Sequence, residues 1–155
     1  MNKGIVRPMH IDDLEAILEI ERVSFAIPWS LESLKMELKD NEYARYLCIE
    51  LEGQVIGYMG LWFILDEGHI TNIAITPNRR GQHWGEFLMR SVMNKMADEG
   101  MERMTLEVRA SNSLAQSLYK RLGFSIAGVR KGYYVDTGED ALIMWAELGR
   151  EVNVT

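Results

Sequence analysis

The segment IAITPNRRGQHWG, residues 73–85, gives the sharpest indication of the fold. Its apolar first residues are typical of a strand, a loop with two arginines and two glycines opens at Pro77, and a helix pattern begins near Trp84. Backbone N–H groups at a helix start have no acceptor within the helix, so with the helix dipole they form a site for a phosphate or pyrophosphate. An exposed basic turn is the alternative, because short loops with glycine and arginine are common.

The same segment disfavours two other classes of nucleotide site. Neither the G-x-G-x-x-G pattern of dinucleotide-binding folds nor the G-x-x-x-x-G-K-[ST] pattern of P-loops is present. The loop therefore favours a polyphosphate group carried by some other cofactor.

Working outward from this segment, periodicity predicts an α/β chain in the order β-α-α-β-β-β-α-β-α-β-β. The predicted strands lie near residues 4–8, 43–51, 54–66, 69–76, 104–110, 124–134 and 141–148. The predicted helices cover about 11–25, 30–38, 84–99 and 113–122. Their expected inward-facing residues include Leu14, Ile17, Leu18, Leu31, Leu34, Leu38, Leu114, Ala115, Leu118 and Leu122. A mixed sheet with helices on both faces is the economical way to bury so many apolar faces.

Composition limits the class of protein. The 155 residues fit a single domain over 1–155, whose last few residues we expect to form a tail. The net charge of −6 argues against a general nucleic-acid binder, which needs a basic surface. Cys48 is the only cysteine, and its strand-like surroundings make it an apolar filler rather than a nucleophile.

Localisation follows from similar observations. The first residues lack the apolar core of a signal peptide, and the longest apolar stretch, 55–65, is far shorter than the roughly 20 residues that span a bilayer. We therefore expect a cytoplasmic protein without a membrane partner. The three histidines have no metal-ligand spacing, so we expect no metal site.

Two further segments carry residues suited to acid–base chemistry. Strand alternation over 104–110 places Glu107 and Arg109 on the face opposite three apolar residues. A carboxylate in a central strand is costly unless it is paired or faces a cleft, so either an ion pair with Arg109 or a neighbouring arginine, or a site, is expected. On spacing alone, Tyr119 is a core aromatic with its hydroxyl at the edge.

These segments resemble a known family. The loop resembles the acetyl-CoA motif [RQ]-x-x-G-x-[GA] of the GNAT superfamily, with Arg80 first, Gly85 last and His83 in place of the middle glycine. The segments LEVRASN (106–112), LYKRLGF (118–124) and EDALIM (139–144), with Phe25 to Ser30 and the Tyr133–Tyr134 pair, resemble the RimI-type ribosomal-protein-alanine N-acetyltransferases. This resemblance covers most of the chain and implies the GNAT fold.

The resemblance also implies site residues. It makes Glu107 the general base and Tyr119 the general acid. It assigns acetyl-CoA to the β-strand backbone and to the loop, together with a later asparagine: Ile73, Ala74, Ile75, Arg80, Gly81, Gln82, His83, Trp84, Gly85, Glu86 and Asn112. The peptide groove is expected at Phe25, Trp29, Tyr133 and Tyr134, although these can also be scattered aromatics.

One residue fits neither pattern. Glu21 falls on the apolar stripe of the first helix, and we expect it at a solvated helix edge, with the cleft as the alternative.

The activity that the resemblance implies is acetylation of the N-terminal alanine of a small-subunit ribosomal protein. The alternatives are a GNAT enzyme for another amine, such as a polyamine, antibiotic or protein lysine, and a non-catalytic CoA-binding module. The sequence leaves the oligomeric state open.

Overall fold

The structure is a computed structural model that describes residues 3–25 and 28–149. Its strands are β1 (Ile5–Pro8), β2 (Ala44–Leu51), β3 (Gln54–Ile64), β4 (Glu67–Ile75), β5 (Arg103–Arg109), β6 (Ser125–Tyr134) and β7 (Glu139–Glu147). Its α-helices are α1 (Leu14–Ser24), α2 (Leu31–Asp40), α3 (Trp84–Asp98) and α4 (Ser113–Arg121). The predicted order of elements is confirmed. The predicted C-terminal tail and the Ala26–Ile27 part of the segment around Pro28 lie outside the described residues.

Local signals define the element ends. The Ser30 hydroxyl caps α2 by accepting a 3.1 Å hydrogen bond from the backbone N–H of Ser33. Glu52 and Gly53 both have positive φ, 54° and 79°, and form the expected tight hairpin between β2 and β3. The predicted first helix starts instead with a 3-10 turn over Ile11–Asp13.

The seven strands form one sheet in the order β1-β2-β3-β4-β5-β7-β6. Neighbouring strands are antiparallel except for β4 and β5, which are parallel. Their registered pairs end at His69 opposite Thr105, although β4 continues to Ile75 and β5 to Arg109. The central strands therefore diverge and open a V-shaped cleft in the middle of the sheet.

Helices cover both faces of the sheet, as predicted. On one face, α3 and α4 bury an apolar cluster that includes Met89, Met93 and Met96, so these methionines fill the core. On the other face, α1 and α2 bury Ile17 and Leu34. Each such side chain contributes about 1.5–3 kcal/mol of transfer free energy, so the two clusters hold the helices against the sheet.

Two of the predicted inward-facing leucines are not buried. Leu31 is 44% exposed in the first turn of α2, and Leu114 is 86% exposed in the first turn of α4. Both residues lie at the end of a helix, beyond the part that packs on the sheet. Cys48, in contrast, is completely buried, and burial raises the pKa of its thiol to about 11, as suits a filler.

None of the helices in the described ranges is long and apolar enough to span a membrane.

Candidate active site

The diverging strands enclose a cavity of about 590 Å³. Residues 70–73 of β4 form one wall and residues 106–109 of β5 form the other. Phe25 and Trp29, from the connection between α1 and α2, and Tyr133 and Tyr134, at the end of β6, line the remaining sides. All four residues predicted for the peptide groove thus line one cavity with the predicted base and acid.

Glu107 faces this cavity and is largely shielded from solvent. Its Oε2 lies 2.7 Å from Nε2 of His69, and its Oε1 lies 3.9 Å from Nε of Arg130. The hydrogen bond with His69 lowers the pKa of Glu107, and the charges of His69 and Arg130 act in the same direction against the opposing effect of burial. The carboxylate is therefore ionised near neutral pH and can accept a proton.

The alternative prediction for Glu107, an ion pair with Arg109 or a neighbouring arginine, is wrong for Arg109 and confirmed for a neighbouring arginine, Arg130, at 3.9 Å. The Arg109 guanidinium instead pairs with Asp136 at 2.9 Å and with Glu139 at 3.4 Å. It also lies 4.0 Å from the centre of the Tyr134 ring. Arg109 therefore ties the turn between β6 and β7 to β5 beside the cleft.

Tyr119 is a buried aromatic of α4 that also reaches the cavity. Its ring packs against Phe124 with centroids 5.9 Å apart. Burial raises the pKa of Tyr119 to about 12, so its hydroxyl keeps its proton at neutral pH. The core position expected from spacing is therefore confirmed, and Tyr119 also lines the cavity that contains Glu107.

The expectation of a solvated Glu21 is wrong. Glu21 is 1% exposed and lines the cavity. Its Oε2 accepts a 2.5 Å hydrogen bond from the Tyr58 hydroxyl, and its Oε1 accepts one of 3.2 Å from the backbone N–H of Trp29. Burial raises the pKa of Glu21, and these two hydrogen bonds partly oppose the effect. Glu21 thus holds the connection between α1 and α2, which includes Trp29, against the sheet.

A second groove, of about 450 Å³, continues from the cavity toward the 73–85 segment. It shares Phe25, Ile73, Ala115 and Tyr119 with the cavity. Its lining also includes Ala74, Ile75, Arg80 and Gly85, predicted for the cofactor, and the exposed Leu114. Tyr119, which carries the hydroxyl group, thus lies where the cavity and the second groove meet.

Two side-chain hydrogen bonds hold Arg80 in place without a ligand. Its Nε donates to the carbonyl of Ile75 at 2.8 Å, and its Nη2 donates to the Ser24 hydroxyl at 2.9 Å. A guanidinium has five N–H donors, so these two bonds leave others for an anion. The other arginine of the loop, Arg79, pairs instead with Glu52, at 3.6 Å.

His83 stands at the position of the middle glycine in the family pattern. It is exposed and precedes α3 with φ 67° and ψ 16°, in the left-handed region. Gly81 also has positive φ, 76°. The loop therefore adopts the conformation that leaves the first-turn N–H groups of α3 facing out of the helix, despite the side chain at position 83.

The other predicted loop residues make structural contacts through their side chains. Trp84 packs edge-on against Phe87, with centroids 5.9 Å apart, and its indole N–H donates to Gln82. Glu86 pairs with Arg90 at 2.9 Å and with Arg121 at 3.0 Å. Trp84 and Glu86 can therefore contact an anion only through their backbone N–H groups.

Asn112 has a structural role of the same kind. Its side-chain oxygen caps α4 by accepting a 3.1 Å hydrogen bond from the N–H of Ala115, and the residue lines the cavity. The amide N–H₂ group of its side chain still has donors available for a ligand.

Sequence reasoning missed the groups that surround the carboxylates. His69, Arg130 and Asp136 are distant in sequence from their partners Glu107 and Arg109, and only the strand pairing brings them together. The single available signal was that His69 lies in a predicted strand beside the one that carries Glu107. Among the described residues, no group of three or more His, Cys, Asp or Glu side chains is placed to hold a metal ion.

Known proteins are similar to this chain both in sequence and in fold. Residues 14–124 match the family model described as acetyltransferase (GNAT) family. A Bacillus subtilis protein provisionally named [ribosomal protein bS18]-alanine N-acetyltransferase is 48% identical over 146 residues, which cover 94% of this chain and 97% of the relative. The Escherichia coli protein named [ribosomal protein bS18]-alanine N-acetyltransferase is 34% identical, covering 90% of this chain and 94% of its own.

Comparison with a solved structure supports the same family. The crystal structure of the ribosomal-protein-S18-alanine N-acetyltransferase from Escherichia coli superposes with a TM-score of 0.87 at 29% identity, covering 99% of each chain. With the family model matching most of the sequence, this chain belongs to the GNAT family of acetyltransferases.

Proposed function

We propose that this protein transfers the acetyl group of acetyl-CoA to the N-terminal alanine amine of ribosomal protein bS18, with Glu107 as general base and Tyr119 as general acid. Membership of the GNAT family makes the chain an acetyl-CoA-dependent N-acetyltransferase. The names of its relatives support bS18 as the target. The observation that carries the mechanism is that an ionised carboxylate and a protonated phenol line one cavity where the central strands diverge.

The second groove fits the elongated cofactor. Beyond His69 the β4 backbone has no registered partner on β5, so the edge at Ile73, Ala74 and Ile75 offers N–H and C=O groups to an amide-bearing arm. Arg80, Gly85 and the first-turn N–H groups of α3 suit the pyrophosphate. Bound there, acetyl-CoA supplies the thioester as the activated acyl group.

The chemistry explains why a carboxylate base is sufficient. An amine attacks a thioester only when neutral, and an N-terminal amine has an ordinary pKa of about 7.7–8.0, against about 10.4 for lysine. At about 1.36 kcal/mol per pKa unit, neutralising the N-terminal amine costs roughly 3.4 kcal/mol less than neutralising a lysine. Glu107 then needs to accept only one proton from the attacking nitrogen.

Bond changes balance without a covalent enzyme intermediate. The amine nitrogen forms a bond to the acetyl carbon while Glu107 takes a proton from that nitrogen, directly or through a water. The bond from carbon to sulfur breaks, and the Tyr119 hydroxyl gives its proton to the leaving thiolate. The products are an N-acetyl amide and a thiol. Glu107 then loses its proton to solvent and Tyr119 regains one, so the enzyme returns to its starting state.

The peptide enters the part of the cavity that is lined by the four predicted aromatic residues. Phe25, Trp29, Tyr133 and Tyr134 form an apolar and aromatic rim that suits the first residues of an extended chain. Hydrogen bonds from Tyr58 and Trp29 to Glu21 hold one part of this rim, and Arg109 holds the other. Both halves of the rim are thus anchored to the sheet.

The decisive experiment is acetylation of a peptide that copies the bS18 N-terminus, begins with alanine and contains an internal lysine. Fragmentation mass spectrometry then locates the added acetyl group, and the same peptide with a blocked N-terminus is the control. We expect acetylation at the terminal amine only. Acetylation at lysine, or turnover of spermidine in preference to the peptide, would favour a GNAT enzyme for another amine, and binding of acetyl-CoA without any turnover would favour a non-catalytic module.

A further inference from the structure

The closed end of the cleft contains a histidine in contact with the proposed base. His69 is the last residue of β4 in register with β5, and its partner there is Thr105. Glu107 lies two residues further along β5, on the same face as Thr105. The imidazole and the carboxylate therefore meet at 2.7 Å, where the two strands begin to separate.

The two side chains differ strongly in their access to solvent. The side chain of His69 is 40% exposed, whereas that of Glu107 is 11% exposed. The imidazole has a nitrogen at each side of its ring, and Nε2 is the one that faces Glu107. The ring thus connects a shielded carboxylate to bulk water.

Several titratable or charged groups lie around this pair. Arg130 and Tyr134, both from β6, interact electrostatically with Glu107. On the other side of β4, the residue that pairs with His69 is Trp62 of β3, whose indole N–H donates to Glu37 of α2. Histidine is the side chain best suited to carry protons between groups near neutral pH.

We infer that His69 is a proton-relay residue, which takes from Glu107 the proton removed from the substrate amine and releases it to solvent. This inference rests on the proposed function. The proton leaves the attacking nitrogen for the Glu107 carboxylate and passes from Oε2 to Nε2 of a neutral His69 that carries its own proton on Nδ1. The ring then loses the Nδ1 proton to water or buffer, and exchange with water restores the Nδ1–H tautomer. No other reactant is needed, and both side chains return to their starting charge.

The inference explains a feature that positioning alone does not require. A buried carboxylate that has accepted a proton must lose it before the next turnover, and Glu107 has little direct contact with water. An amide or hydroxyl donor in place of the imidazole would orient Glu107 equally well, but it could not carry the proton away. The imidazole can do both.

The direction of the pH dependence follows from the charge of His69. A neutral ring accepts the proton, whereas a protonated ring cannot, and its hydrogen bond lowers the pKa of Glu107. Protonation of the ring should therefore slow turnover, in addition to any effect from protonation of the substrate amine.

The test compares His69→Gln and His69→Ala with wild type, using kcat for the alanine peptide between pH 5.5 and 9. Glutamine keeps a hydrogen-bond donor toward Glu107 but does not titrate. We expect kcat of His69→Gln to fall roughly tenfold at neutral pH, less than the 10²-fold or more contributed by a general base, because slow direct proton loss remains. Added imidazole should restore several-fold of the activity of His69→Ala, in proportion to the neutral form of the buffer. His10→Gln, in an exposed histidine outside the cleft, is the matched control.

Wild-type kcat in His69→Gln, or an unchanged acid limb of the profile without imidazole rescue in His69→Ala, would overturn the relay. The pair itself is tested without turnover by ¹⁵N NMR of the His69 ring, whose nitrogen chemical shifts should change in Glu107→Gln because the 2.7 Å contact is altered. Unchanged shifts would also overturn the inference. If wild type does not acetylate the peptide, the proposed function fails, and the NMR comparison still decides whether His69 and Glu107 are coupled.

Discussion

The hydroxyl of Tyr58 lies 2.5 Å from Oε2 of Glu21 and donates a hydrogen bond to a carboxylate that is almost completely buried. Burial raises the pKa of Glu21 above the ordinary glutamate value of about 4.3, so the folded protein binds this proton more tightly than the unfolded chain does. The resulting stabilisation is fully present below pH 4.3 and is lost as pH rises through the folded pKa.

Glu21→Gln removes this titration and keeps a side chain that can bond to both Tyr58 and Trp29. We therefore expect the melting temperature of the variant, relative to wild type, to increase steadily from pH 4 to pH 8. Thermal unfolding followed by circular dichroism measures the difference, and Glu15→Gln, at an exposed position of the same helix, should show no such trend. A constant difference across this range would contradict the buried-acid interpretation.

Glu107→Gln tests the proposed base. The amide cannot accept the amine proton, so we expect kcat for the alanine peptide to fall by about 10²-fold or more at pH 7. The loss should become smaller as pH rises toward 9, because a larger fraction of the N-terminal amine is then already neutral. Steady-state rates by mass spectrometry give the profile, and Glu147→Gln on the neighbouring β7 should retain wild-type rates.

Tyr119→Phe tests the proposed acid with little change in packing. The phenylalanine ring can still contact Phe124, so the melting temperature should change little, whereas the thiolate loses its proton donor. We expect kcat to fall by about 10²-fold, while the Kd for acetyl-CoA measured by calorimetry stays within threefold of wild type. Tyr43→Phe, an exposed tyrosine outside the cleft, is the control. Full activity in the Tyr119 variant would assign proton donation to another group.

Sequence periodicity was sufficient for the fold because each element carries its own signal. Apolar spacing defined the helices, and the segment at 73–85 defined the change from strand to helix. The site was less accessible because its contacts depend on strand register. Nothing in the pattern of 104–110 indicates that Glu107 meets His69 rather than Arg109, since that choice depends on where the parallel pairing stops.

Glu21 shows a second limit. Helical spacing places it on the buried stripe of α1, but a charged side chain is more often found at a solvated edge, and the partner that allows burial, Tyr58, lies on a strand far along the chain. Only the packing of α1 on β3 brings the two together. Long-range polar pairs of this kind leave no local trace in a single sequence.

Arg109→Lys tests how the β6–β7 turn shapes the peptide groove. Lysine keeps the charge but loses both the paired contacts with Asp136 and Glu139 and the planar stacking on Tyr134. We expect KM for the peptide to rise about fivefold, kcat to change less, and stability to fall only slightly, because these charged groups are partly exposed to solvent. Arg103→Lys, at the other end of β5 in a comparable ion-pair cluster, should leave KM unchanged. An unchanged KM in Arg109→Lys would show that the turn does not shape the peptide groove.

His83→Gly separates backbone conformation from side-chain chemistry in the loop before α3. His83 already has φ 67°, a conformation that costs a non-glycine residue about 1–2 kcal/mol, so glycine relieves strain and loses part of that gain to its own flexibility in the unfolded chain. We expect unfolding by urea to show a net gain of about 0.5–1 kcal/mol, with Leu65→Gly, an exposed residue at φ 58°, as the matched control for strain relief alone. Because the backbone donors are already arranged as glycine would arrange them, the Kd for acetyl-CoA at pH 8 should stay within threefold of wild type. A much tighter complex in His83→Gly would mean that the imidazole crowds the pyrophosphate, and a much weaker one would make the ring itself a ligand.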